Sequence, residues 1–169
     1  METLPSLDPA PNQRDATLLC TSCGICCAGD LHGAAVLDSD EVPVAERLGL
    51  TVRSDGELRF ELPCPRLSGS QCTVYPDRPR VCSRYKCVLL QNLEAGNIAL
   101  EGALHHVAVA KQLVARARAD APGESEQSER DLALMNRKLQ WAAVRHYFDK
   151  FFRKPAHPSH DQGASAETP

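Results

Sequence analysis

Four of the chain's eight cysteines fall within residues 20–27, CTSCGICC. A cysteine thiolate is a nucleophile, a redox group and a soft metal ligand. Disulfide bridging, thiol redox catalysis and metal chelation therefore compete for so dense a cluster. The full spacing is Cys20-x2-Cys23-x2-Cys26-Cys27, then Cys64-x7-Cys72-x9-Cys82-x4-Cys87. A CxxC step lets two sulfurs converge on one ion, in zinc sites and iron–sulfur clusters alike. Extension to CxxCxxC is the opening of bacterial ferredoxin runs, whereas zinc knuckles more often stop at one pair. The spacing favours an iron–sulfur cluster, with 4Fe–4S as the candidate type, over zinc. Adjacent Cys26 and Cys27 point in different directions in most backbone conformations. One of them is then free, bridges two ions or serves a second centre.

The rest of the chain narrows the choice. METLPSLDPAPNQRDATLL lacks the basic start and apolar run of a secretory signal. No stretch reaches the roughly 20 apolar residues of a membrane span. A cytoplasmic protein without membrane contact is the expectation, and thiols stay reduced in that compartment. Disulfides are disfavoured accordingly. A thiol redox enzyme would set CxxC at a helix N-terminus in a βαβ setting, which the pattern lacks. A formal net charge of −3 and 5% aromatic residues argue against nucleic acid as a partner. Metal or cluster binding remains.

Charge adds a second indication. Four thiolates on zinc or on an oxidised four-iron cluster leave about −2 overall. Residues 64–87 carry Arg66, Arg78, Arg80, Arg84 and Lys86 against Asp77. Nearby cations lower a thiol pKa from its free value of about 8.5. Arg78 and Arg84 are the candidates for contacting the bound centre. His32 is a further possible ligand, less favoured because eight thiols are already present. His105 and His106 suit surface or packing roles, and His157 and His160 lie in a polar tail.

The elements that must position these groups are legible in outline. Residues 1–17 are proline-rich and polar, and read as a flexible lead-in. Residues 34–37 suit a short strand. Residues 41–48 suit a helix, with Asp38-Ser39-Asp40 as its cap and Gly49 as its stop. Residues 51–62 alternate around Ser54-Asp55-Gly56, as in a hairpin. Residues 63–87 hold many prolines and few apolar residues, so a metal is expected to order them. Helices are expected over 88–95, 98–119 and 129–152, with a break at Gly96-Asn97 and a loop at 121–125. Their apolar faces are Leu100, Leu104, Val107 and Val114, then Leu134, Trp141, Val144, Phe148 and Phe151. The residues from 154 onward read as a disordered tail.

CTSCGICC together with CPRLSGSQCTVYPDRPRVCSRYKC resembles the YkgJ-like cysteine-cluster family, also called CxxCxxCC, a zinc- or iron-chelating domain. The resemblance spans residues 18–90. It implies that Cys20, Cys23, Cys26, Cys27, Cys64, Cys72, Cys82 and Cys87 are the ligands, and it draws attention to Tyr75, Arg78 and Pro79. Family members often carry arginine directly after the third cysteine of the second group. Here Ser83 takes that place and Arg84 follows.

The fold expected is a small α+β domain over residues 18–153. A cysteine module (18–90) with a short hairpin packs with two or three C-terminal helices (91–153). Three functions are open: a structural or redox metal protein, an enzyme using the centre for redox or group transfer, and an adaptor docking a protein partner through its helices. Eight ligands for two four-coordinate centres leave no open position, which disfavours the enzyme.

Overall fold

The computed structural model describes residues 11–119 and 127–154. The expected loop at 121–125, the tail from 155, His157 and His160 lie outside them. An α+β architecture results, with two separate apolar cores and the cysteines along the seam between them.

Helix α1 (Pro11–Cys23) begins inside the segment expected to be a flexible lead-in. Proline is tolerated at a helix start, and residues 13–23 contain no further proline or glycine. The helix carries Cys20 and Cys23 in its last turn. Gly24 ends it with φ +69°, a conformation that favours glycine, and its N–H bonds the Cys20 carbonyl at 3.4 Å.

Strands β1 (Ala34–Val36), β2 (Val52–Arg53) and β3 (Arg59–Glu61) form an antiparallel sheet in the order β1-β3-β2. Ala35 and Val52 both face Phe60 in the register. Phe60 is buried with Leu37, Ala45 and Leu50, and this is the smaller core. Helix α2 (Val42–Arg47) takes Pro43 in its first turn, as its cap residues predict. The buried Glu41 carboxylate accepts from the backbone N–H of Asp38 at 3.2 Å and of Val81 at 3.3 Å. One side chain thus fixes the start of α2 and ties it to helix α3 (Arg80–Arg84). Between them lie a small hairpin, β4 (Leu67–Ser68) with β5 (Gln71–Cys72), and the expected hairpin of residues 51–62.

Helices α4 (Val88–Glu94), α5 (Leu100–Ala119) and α6 (Gln127–Phe151) match the expected helical stretches, with the break at Gly96. They pack with α1 around the larger core. The buried seam of α5 is Ala103, Val107, Ala110, Val114 and Ala117. Leu100 and Leu104 flank this seam instead of forming it. Small residues let α6 approach closely, and Val144, Phe148 and Phe152 fill the space. Leu134 stands 44% exposed, so the apolar face of α6 faces the core only in its second half.

Gly24 also sits where α1 meets the β4–β5 turn. A β-carbon there would lie 2.9 Å from the Ser70 carbonyl oxygen. Gly24→Ala should therefore destabilise the protein by more than about 1 kcal/mol. Gly33 has no neighbour within 4 Å of such an atom, and Gly33→Ala should stay within about 0.5 kcal/mol. Urea denaturation of both variants measures the contrast.

Candidate metal centre

All eight cysteines are free thiols, each partly buried. All eight line one cavity of about 370 Å³. The groups that meet there are divided by space and not by sequence. Cys23 lies within electrostatic reach of Cys87 and Cys20, and Cys26 within reach of Cys23, Cys87, Cys27 and Cys20. Cys27 is surrounded first by Cys72 and Cys64, and Cys82 by Cys27, Cys64 and Cys72. Cys27 is also within reach of Cys20 and Cys26, so the division is one of nearest neighbours: one set is Cys20, Cys23, Cys26 and Cys87. The other is Cys27, Cys64, Cys72 and Cys82. The peptide bond between Cys26 and Cys27 crosses from one set to the other.

The two cores account for this division. Cys20, Cys23, Cys26 and Cys87 pack against the helical core, whereas Cys64 and Cys82 pack against the sheet core. Cys87 caps α4, its sulfur accepting from the Leu90 N–H at 3.4 Å. Chain direction reverses after Cys27: the Cys64 N–H donates to the Cys27 carbonyl at 2.7 Å, joining members of the second set across the sheet segment.

Burial is the largest influence on these thiols. It pushes Cys23 and Cys82 up to about 12 and Cys27 up to about 11. Cys20, Cys26, Cys64 and Cys87 are raised as well, burial first in each case. Neighbouring sulfurs add repulsion, since a second thiolate beside a first is disfavoured. Against this stand a few favourable contacts. Tyr75 hydrogen-bonds to Cys20, and the Arg78 charge favours the thiolates of Cys20, Cys27 and Cys82. The Arg78 guanidinium carbon stands 3.6 Å from the centre of the Tyr75 ring, and its buried Nε has no hydrogen-bond partner among the described residues. Arg78 is thus the cation common to both sets. Arg84 is exposed and within reach of Asp40 on the outer surface.

Two further supports stand around the cavity, and of them only Lys111 lies outside the quoted cysteine motif. Lys111, on α5, donates to the Ser22 carbonyl and to the Ser70 hydroxyl, each at 2.7 Å, and its charge reaches Cys23. It clamps the end of α1 to the β4–β5 turn. Tyr85 follows α3 and lies within reach of Cys26 and Cys87. Tyr75, to which the resemblance draws attention, contacts the Cys20 thiol. His32 lines the cavity beside Tyr85, while His106 lies away from it, bonded to the Tyr147 hydroxyl at 2.7 Å. Trp141 packs against the helical core.

The fit to a metal can be tested on these residues. Thiolates are soft ligands suited to zinc, copper(I) and iron–sulfur clusters. Among the described residues, no three Cys, His, Asp or Glu side chains stand close enough together to hold a single metal ion. The sulfurs instead surround a space.

The profile of the CxxCxxCC family, described as a "putative zinc- or iron-chelating domain", matches residues 19–107. The chain belongs to this family. The match runs past residue 90 through α4 and ends within α5, before Lys111. No curated protein and no solved structure matches the chain. The domain is a metal-binding one, and none of the described helices is long and apolar enough to cross a membrane.

Raised thiols make the metal-free protein sensitive to alkali. Below the ordinary cysteine value of 9.0 the thiols are protonated both folded and unfolded, and their contribution is fully present. Above it the unfolded chain ionises first, so stability is lost as pH rises towards the folded values of about 11 to 12. Thermal melts of chelator-treated protein should fall steadily across that window. Melts of the metal-loaded protein, whose ligands are already thiolates, should fall much less.

Proposed function

We propose that the protein is an iron–sulfur protein that holds two four-thiolate centres side by side and passes electrons through them. The observation that carries this reading is the cavity itself. All eight cysteines line one space of about 370 Å³. A single zinc ion draws its sulfurs in to about 2.3 Å each. A cluster of several iron and sulfide ions keeps its four cysteine ligands farther apart. The CxxCxxC spacing supports the same choice.

Cys20, Cys23, Cys26 and Cys87 would hold one centre, and Cys27, Cys64, Cys72 and Cys82 the other. When bound, such clusters supply reversible one-electron chemistry. The Cys26–Cys27 peptide bond keeps the two close, and a redox role follows from that proximity more directly than a purely structural one. Four thiolates complete each centre, so this reading assigns no open position for a substrate. Arg78 serves both centres as the shared counter-charge. Arg84, on the outer surface beside Asp40, has no such part. Eight unpaired thiols suit a reducing compartment, which supports a cytoplasmic location.

Anaerobic purification with iron, sulfide and zinc analysis tests the reading. Broad absorbance near about 400 nm, with iron and sulfide present together, is the expected result. A colourless protein carrying zinc alone would overturn it. In the same preparation, Arg78→Gln should lower iron content and Arg84→Gln should leave it unchanged. Equal effects of the two variants would remove the assigned role of Arg78.

A further inference from the structure

His32 is the imidazole on the cavity wall among the described residues. Its ring meets Tyr85 edge to face, with centroids 4.8 Å apart and planes at 87°. Tyr85 in turn lies within reach of Cys26 and Cys87, so His32 sits on the side of the first thiol set. The segment is held from several directions. Arg153 donates to the carbonyl of the buried Leu31 at 3.3 Å, and the Leu62 N–H donates to the Gly33 carbonyl at 2.9 Å. These bonds hold the backbone on either side of His32.

Its Nε2 atom is buried and has no hydrogen-bond partner among the described residues. Burial, and then the Arg153 charge, hold the imidazole below its ordinary pKa. The ring is therefore neutral and carries one N–H. An Nε2 lone pair would need a donor or a metal, and an Nε2–H would need an acceptor. Sulfurs bound to a centre are acceptors only. A loaded centre would thus offer an Nε2–H the acceptor it lacks.

We infer that His32 donates an Nε2–H hydrogen bond to a sulfur of the centre held by Cys20, Cys23, Cys26 and Cys87, and thereby raises the reduction potential of that centre. The inference rests on the iron–sulfur reading above. An added electron makes the sulfurs more negative, so the donor stabilises the reduced form more than the oxidised form. His32 is a positioning and tuning residue, not a ligand.

Redox titration of anaerobic protein, followed by absorbance, tests this alongside iron and sulfide counts. His32→Phe should keep full iron and sulfide. One of two reduction steps should become at least tenfold harder, about 59 mV for one electron, while the other stays in place. His32→Gln, which retains an amide N–H, should recover most of the shift. Unchanged potentials in His32→Phe would overturn the inference, as would an equal shift of both steps. Loss of iron from both variants would overturn it in favour of His32 as a ligand. Zinc without sulfide in the unaltered protein would defeat the iron–sulfur reading itself and remove the inference with it. These failures are distinct, because the last appears before any variant is made.

Discussion

A buried thiolate needs a cation, and this molecule turns eight sulfurs onto one enclosed space. The rest of the structure depends on that constraint. Burial raises the thiols of Cys20, Cys23, Cys26, Cys27, Cys64, Cys82 and Cys87, and neighbouring sulfurs add repulsion at most of them. With metal, protons leave and positive charge enters at the same place, so binding, ionisation and stability become one equilibrium. The protein can keep such a cavity because each side of it has a core of its own. Leu89, Val107, Phe148 and Phe152 support the helical wall, while Phe60, Leu37 and Leu50 support the sheet wall.

The seam between the walls is fastened by few groups, and each works on both sides. Glu41 accepts from the cap of α2 and from α3. Lys111 reaches from α5 to the end of α1 and to the β4–β5 turn. Gly24 leaves room for Ser70 at that turn. Arg78 spreads one positive charge over thiols of both sets. These contacts set the spacing of the walls, and that spacing decides whether the cavity suits one ion or a larger cluster.

Much of this was legible in the residues. The cysteine motifs pointed to metal binding and to the family. The helix at 41–48, the hairpin at 51–62 and the break at Gly96 followed from turn and cap residues whose effects are local. The helical start at Pro11 was hidden because proline and polar residues suit both a helix N-terminus and a loose lead-in. The seam of Ala103, Ala110 and Ala117 was hidden because alanine weighs little in an apolar pattern, while Leu100 and Leu104 weigh much. Leu134 continued a helical stripe beyond the point where α6 has core beneath it. The pairing of the cysteines was beyond reach for a different reason. Sequence proximity places Cys26 with Cys27, but the chain turns between them, and only the packing of distant segments brings Cys87 to Cys20 and Cys82 to Cys27.

That pairing is tested most directly by metal content in two double variants, Cys20→Ser/Cys87→Ser and Cys82→Ser/Cys87→Ser. If the sets divide by space, the first variant loses one centre and keeps about half the metal, while the second disables both centres and keeps almost none. If the sets instead divide by sequence, the two results exchange places: the first variant is empty and the second half full. That exchange would contradict the two-wall arrangement, whichever metal is found.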